Sequence, residues 1–407
     1  MINPVDLLVE RLSMALDPET RLHDRICWHP YPGALQGFYC ESLELDGSVL
    51  ARVRRLAYFR EVYLLWERGA PGSFLARLGM QPPRGHEGRQ ASLTPQITLY
   101  RLGRGWCLRI VPDQVMYEFS DFVCRLARNE RDVERMFRAG VAHLQSGVRR
   151  AYSAESSRLF KTIEDFMDDR RAPQLYLTHW FFGIHGKFFP RMIRAAMNKM
   201  GLGPGDLVLD PFTGCGTLNV EASLLGVRSV GVEVNPLLAV VSRVKVRALS
   251  LDADYLSRLI EKVSRELTER PLAPQADVGE ALARLPRRLA EKVRRDSLAT
   301  VMRIIEIAES AGDPDLSDLL KVPLAYWMRS MLTKQTPKKV VRTYLDHLMR
   351  MGFAVRFLAL YRMEVAPVEP ADAKILVGDS TKLRDVLGSG APRSPRDSTR
   401  WSRARPT

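Results

Sequence analysis

The stretch Asp210-Pro-Phe-Thr-Gly-Cys-Gly-Thr217 constrains this chain most, because it joins an apolar run to an amphipathic one. Before it, Leu207, Val208 and Leu209 read as a short buried strand. After it, Thr217 to Leu225 has helical spacing and stops at Gly226, the position of a helix C-terminal cap. Gly214 and Gly216 make the connection a tight turn, in which residues without a Cβ let a ligand approach the backbone. A second strand follows in Ser229-Val-Gly-Val-Glu-Val234, with Glu233 near its end. An acid about 20 residues past such a turn can accept hydrogen bonds from ribose hydroxyls. Strand, glycine turn, helix, strand and terminal acid together describe a nucleotide-type cofactor site in an α/β fold. The competing reading is an ordinary β-turn-α unit, and several further motifs in order weigh against it.

Spacing narrows the cofactor. Asn219 stands where the third glycine of G-x-G-x-x-G would be, which disfavours a dinucleotide. The pattern G-x-x-x-x-G-K-[ST] is absent as well, which excludes a P-loop. The octapeptide instead resembles the first motif of class I S-adenosylmethionine-dependent methyltransferases. The resemblance is closest to the branch acting on exocyclic amino groups of DNA bases, the N4-cytosine and N6-adenine enzymes of DNA methylation and restriction-modification. Cys215 stands where that family more often has Ser or Thr.

Upstream, His185-Gly-Lys-Phe-Phe-Pro190 precedes the apolar-periodic Met192, Ile193, Ala196 and Met197. It resembles the His-x-x-Lys-Phe-x-Pro segment that comes before the glycine turn in these DNA methyltransferases. A loop and helix N-terminus there would cover the methionine end of the cofactor, with Lys187 and backbone N–H groups meeting its carboxylate. Taken alone, the segment also reads as a surface loop whose aromatics enter the core. Downstream, Lys374-Ile-Leu-Val377 is a third strand candidate ending in Gly378-Asp379-Ser380. The resemblance implies that Asp379 hydrogen-bonds the adenine amino group. It thus implies an S-adenosyl-L-methionine site at His185, Lys187, Asp210, Pro211, Phe212, Gly214, Gly216, Thr217, Glu233, Asn235, Asp379 and Ser380.

The family's next element, [Asp/Asn/Ser]-Pro-Pro-[Tyr/Phe/Trp] at the end of a fourth strand, does not occur in the 407 residues. In the family its polar acceptors align the target amine and its aromatic stacks on the flipped base. Pro82-Pro83 lies between Gln81 and Arg84 with no strand-like run before it. His29-Pro-Tyr31 follows Arg25-Ile-Cys27, a poor buried strand, and both are rejected as the motif. After Leu387 the chain becomes rich in Arg, Ser and Pro and loses its apolar period. A basic disordered tail reads that way, but the position of the change favours an interrupted frame. No catalytic residue is therefore assigned.

Lys+Arg 61 against Asp+Glu 47 gives net +14 and a sequence pI near 9.7, which favours a polyanionic partner, most simply double-stranded DNA. No apolar run is long enough to span a bilayer, and acids interrupt the apolar N-terminus, so neither a membrane protein nor a signal peptide is expected. Cys27, Cys40, Cys107, Cys124 and Cys215 form no Cys-x-x-Cys pair, and His179, His185 and His347 have no metal-ligand spacing. A cytoplasmic protein follows, and many Arg with few Asn hint at a thermophilic source.

Five parts are expected: an N-terminal α+β accessory domain to residue 172, a Rossmann-like methyltransferase core over 173–249, a helical insertion over 250–362, the third-strand region 363–387 and the tail 388–407. The first part carries strand-like runs at 58–66 and 96–100, helical runs at 120–145 and 157–167, and ends in a linker at Asp168-Asp-Arg-Arg-Ala-Pro173. Its interleaved Arg54, Arg55, Tyr58, Arg60, Tyr63 and Trp66 suit a nucleic-acid surface, and a half-buried sheet better. In the insertion, Tyr255, Leu256, Leu259, Ile260, Val263 and Leu267 make a helical stripe. Leu298 to Ile307 marks another helix and Val340 to Leu360 a third. The runs Arg287–Arg295 and Lys334–Arg342 would either track phosphates or form solvated helix faces. Alternatives to DNA methylation are an RNA base N-methyltransferase of the tRNA guanine-N2 type and a non-catalytic nucleic-acid-binding remnant.

Overall fold

A computed structural model describes residues 25–29, 36–38, 53–57, 61–66, 90–102, 105–146, 175–184, 186–269, 277–366 and 369–388. The run at 157–167, the linker, Pro82-Pro83, His185 and residues 389–407 lie outside them. The structure is mixed α/β, with one antiparallel and one parallel sheet. It divides into two compact units: Met1–Leu177 with Phe188–Gly203 and Phe357–Glu369, and Thr178–Lys187 with Pro204–Arg356 and Pro370–Thr407. No helix among the described residues is long and apolar enough to cross a membrane.

In the first unit, β1 (Arg25–His29), β2 (Gln36–Phe38), β3 (Glu61–Trp66), β4 (Gln90–Thr94), β5 (Ile97–Leu102) and β6 (Gly105–Ile110) form an antiparallel sheet of order β2-β1-β3-β6-β5-β4. The weak pattern of Arg25-Ile-Cys27 is a strand after all. It is paired on both sides, Ile26 with Phe38 and Cys27 with Tyr63, and neighbours outweigh intrinsic preference. Because β1 sits in the antiparallel sheet, His29 does not end a strand of the parallel one.

The helical run 120–145 is two helices, α1 (Asp113–Leu126) and α2 (Glu130–Ser146). The Asn129 side chain accepts from the Asp132 N–H at 3.0 Å, so a local cap starts a new helix where apolar spacing alone would continue the old one. α3 (Pro190–Lys199) starts with proline in its first turn. A polar knot holds this unit: Asp113 Oδ1 accepts from Arg54 at 3.1 Å, Gln96 at 2.7 Å and the Tyr361 hydroxyl at 2.5 Å. Arg55 donates to the Leu202 carbonyl. Arg54 and Arg55 thus take part in the unit's own packing.

The second unit contains β7 (Leu207–Asp210), α4 (Thr217–Leu224), β8 (Arg228–Glu233) and α5 (Pro236–Arg247). Then come α6 (Ala253–Glu269), α7 (Val278–Ala283), α8 (Arg287–Ala290), α9 (Arg295–Glu309), α10 (Pro314–Lys334) and α11 (Pro337–Glu364), whose last turns belong to the first unit. β9 (Ala373–Val377) and α12 (Leu383–Leu387) complete it. The sheet is parallel, of order β7-β8-β9, with Leu209 opposite Val230 and Glu233 opposite Val377. Central β8 buries Val230 and Val232. The expectation of a buried β7 fails: Leu207 and Leu209 are 38% and 41% exposed, because among the described residues β7 pairs on one side only. In α6, Leu256, Ile260, Val263 and Leu267 are buried and Tyr255 faces out, a narrower stripe than the spacing suggested.

Candidate cofactor-binding site

The carboxyl ends of β7, β8 and β9 bring Asp210, Glu233 and Asp379 to one rim of the parallel sheet, where α/β proteins open their ligand crevice. The turn after β7 is laced to β8. The Thr213 N–H donates to the Val232 carbonyl at 3.0 Å, and the Asn219 side-chain amide donates to Ser229 Oγ at 3.0 Å. Asn219, in place of a third glycine, therefore fastens helix to strand. Glu233 is clamped by two backbone amides, Gly214 N–H on Oε2 and Asn235 N–H on Oε1, each at 2.8 Å. Each oxygen keeps a second lone pair for another donor. Asn235 caps α5 by accepting from the Leu237 N–H at 3.0 Å.

Asp210 accepts from the Phe212 N–H at 3.0 Å. Burial pushes its carboxyl above the usual range, the hydrogen bond opposes this, and neighbouring Glu233 adds to it. Asp379 accepts from the backbone N–H of Thr381 at 2.9 Å and from its hydroxyl at 2.8 Å, bonds that hold its carboxyl below the usual range. Ser380 opens the short 3-10 turn that follows. Phe212 is 77% exposed, Val234 and Val377 are exposed, Pro211 is half-buried, and Thr217 is buried at the start of α4.

The two glycines differ. Gly214 has φ +55°, and a Cβ there would meet nothing nearer than the Phe212 carbonyl oxygen at 4.0 Å. Gly216 has φ +77°, and a Cβ there would collide with Ser242 of α5, whose Cα lies at 3.1 Å. Only Gly214 leaves the open space expected of both; Gly216 is small because a helix packs on it.

Behind the turn lies a buried polar group that sequence spacing did not single out. Lys245, fully buried, donates to the Cys215 carbonyl at 2.7 Å, and burial depresses its ammonium. His179 Nε2 meets Glu221 Oε1 at 2.8 Å, both side chains fully buried. Burial outweighs that attraction and pulls His179 down to about 4, so the imidazole is neutral near pH 7. Lys187 donates to the His179 carbonyl at 2.9 Å. Burial, and then the charge of Lys245, bring its ammonium down to about 8. One signal for Lys245 was present: it falls on the stripe of Val241 and Val244 of α5 and Ala248 just after it, where an apolar residue belongs. Nothing local marked Glu221, because its partner is 42 residues away.

The segment carrying His179 is held from the other side by α10 and α11. The Trp327 indole donates to His347 Nδ1 at 3.1 Å, and His347 Nε2 donates to the Phe181 carbonyl at 3.0 Å. Phe182 stacks edge-on against Tyr326.

Residues 178–239, from this held segment through the turn and β8 into α5, match the family model described as DNA methylase. This segment is similar to the N4/N6 DNA methylases. The chain is 34% identical over 68 residues to the Type II methyltransferase M.MjaII of Methanocaldococcus jannaschii, which is 16% of this chain and 13% of that protein. It is 28% identical over 82 residues to the Type II methyltransferase M.BsoBI of Geobacillus stearothermophilus, 20% of this chain and 15% of that one. It is also 41% identical over 54 residues to the tRNA (guanine(10)-N2)-dimethyltransferase of Methanothermobacter thermautotrophicus, 13% of this chain and 16% of that enzyme. The matches thus span 13%, 15% and 16% of these relatives' lengths. The methylase segment holds Lys187, Asp210, Gly214 and Glu233; Asp379 and Ser380 lie beyond it.

Proposed function

We propose that the methylase segment and β9 bind S-adenosyl-L-methionine, within a class I methyltransferase core that acts on an exocyclic amino group of cytosine or adenine in double-stranded DNA, in the cytoplasm. The observation that carries this reading is the Glu233 clamp beside Gly214: a carboxylate fixed by two amides, next to a backbone position with open space. The residues fit the group. Glu233 and Asp379 have acceptor capacity left for ribose hydroxyls and an adenine amine. Exposed Phe212, Val234 and Val377 offer apolar surface to a base, and Lys187 offers a cation to a carboxylate. When bound, the cofactor supplies a sulfonium methyl group for transfer to a nucleophilic nitrogen. The protein's part is positional: Glu233 orients, the Lys245 bond to Cys215 holds the turn in shape, and Lys187 places positive charge beside it.

The family model's description and the segment His185 to Pro190 favour DNA as the target. A tRNA base is the second reading, carried by the guanine-N2 relative. In this scheme the antiparallel unit is an accessory domain, and α6 to α11 are a helical insertion in the core. Calorimetry with S-adenosylmethionine tests the assignment. Micromolar binding, weakened by about 1–3 kcal/mol in Glu233→Ala, is the expected result. A Glu233→Ala protein that binds as tightly as the parent would mean the carboxylate serves only the backbone.

A further inference from the structure

We propose that two basic runs far apart in sequence form one docking surface for the phosphate backbone of duplex DNA. The proposal rests on the DNA reading above and names the surface that would hold that partner.

The first run lies on α8 and the approach to α9: Arg287, Arg288, Lys292, Arg294 and Arg295. The second lies at the end of α10 and the start of α11: Lys334, Lys338, Lys339 and Arg342. Two hydrogen bonds bring them together. The Arg294 N–H donates to the Leu332 carbonyl at 2.9 Å, and the buried Ser297 hydroxyl donates to the Gln335 carbonyl at 2.6 Å. The start of α9 therefore lies against the end of α10, where the chain turns into α11.

Charge at this junction is not balanced locally. Arg287 pairs with Glu291, Arg294 with Asp296, and Arg342 with Asp346. Arg288, Lys292, Arg295, Lys334, Lys338 and Lys339 are all exposed, and among the described residues none of the six forms an ion pair. A merely solvated helix face alternates signs and pairs them at i,i+4, as Arg287 and Glu291 do. Six unmatched cations from four helices and the turn before α9, gathered by tertiary hydrogen bonds, form instead a patch with an excess of positive charge. α9 and α11 both begin here, and their first-turn amides add to the positive potential. Duplex DNA is complementary, with one phosphate charge per roughly 1.7 Å of axis.

The test uses the full chain, an unmethylated DNA duplex without cofactor, and anisotropy across a salt series. Two triple variants are compared, Arg288→Gln/Lys292→Gln/Arg295→Gln and Lys334→Gln/Lys338→Gln/Lys339→Gln, with their combination. Each triple is expected to weaken binding at least about tenfold at low salt and to flatten the salt dependence by about 0.9 for each phosphate no longer neutralised. The combination should weaken it more than either. A Lys334→Arg/Lys338→Arg/Lys339→Arg protein should keep its affinity. Parallel calorimetry should show S-adenosylmethionine binding unchanged in every variant. Failure of the cofactor reading would appear in that calorimetry alone and leave the DNA measurement intact. Salt slopes unchanged in both triples would overturn the docking surface. So would weakening confined to a structured RNA of matched length.

Discussion

Gly214 and Gly216 stand two residues apart and answer to different constraints. Gly214 faces open space, so Gly214→Ala adds a methyl group where a ligand would lie, at a left-handed strain of about 1 kcal/mol. The expected outcome is a folded protein with a slightly lower melting temperature and at least tenfold weaker S-adenosylmethionine binding. Gly216→Ala meets Ser242 and should instead lose stability first. Melting curves and calorimetry on the two proteins separate the cases; equal loss of cofactor affinity at equal stability would refute the distinction. Lys187 gives a second result at this scale. Burial and Lys245 bring its ammonium to about 8, well below the 10.5 of an ordinary lysine. Between those values the folded state holds fewer protons than the unfolded one, so this group's contribution to stability rises with pH. An anion that relies on the ammonium loses it where the folded group itself titrates. Cofactor affinity should therefore fall as pH rises through about 8, and Lys187→Met should remove that dependence. A flat affinity from about pH 7 to about pH 9 would show that Lys187 serves only the His179 carbonyl.

At the scale of elements, His347 is a bolt between helices and the segment that carries His179. Its ring accepts from Trp327 and donates to Phe181, which requires the neutral form with the proton on Nε2. Burial holds both His347 and His179 near 4 against the ordinary 6.5. Their folded values are depressed, so the stability they contribute is present above about 6.5 and lost as pH falls toward 4, roughly 2–4 kcal/mol for each. Acid titration followed by circular dichroism should show unfolding within that window. Trp327→Phe should lower stability by about 1–2 kcal/mol at neutral pH, since it leaves Nδ1 of a buried ring without its donor. An unchanged melting temperature would mean the indole bond carries nothing. The same elements show what sequence reveals. β7, α4, β8 and β9 were legible because strand runs, glycines and a terminal acid are local signals. α10 was not, because Pro323 lies inside the helix, and proline argues against helix in any local reading. The break at Asn129 was missed because a cap overrides apolar spacing. Of the site, the turn and Glu233 were legible, whereas Glu221, Lys245 and His347 depend on partners 20 to 166 residues away.

At the scale of the whole molecule, binding and transfer make different demands. In the proposed function, binding uses the rim of β7, β8 and β9, which brings Asp210, Glu233 and Asp379 together. Transfer needs the target nitrogen held in line with the sulfonium methyl, at about 3–3.5 Å, with its lone pair aimed. In the family this chain resembles, polar acceptors and an aromatic in [Asp/Asn/Ser]-Pro-Pro-[Tyr/Phe/Trp] do that, and no such tetrapeptide occurs in the 407 residues. The strand that would carry those acceptors has a place to pair, because β7 has only one partner among the described residues and exposes Leu207 and Leu209 beside it. The 407-residue chain is therefore expected to bind S-adenosylmethionine and DNA without methylating the DNA. Tritiated methyl transfer to unmethylated DNA, with total RNA in parallel, measures this. Incorporation into DNA would show that other residues of this chain align the amine. Incorporation into RNA alone would move the target to the second reading. Silence on both, with cofactor binding intact, would leave a positioning rim that lacks only its acceptors, and fusion of a strand bearing the tetrapeptide should then restore transfer.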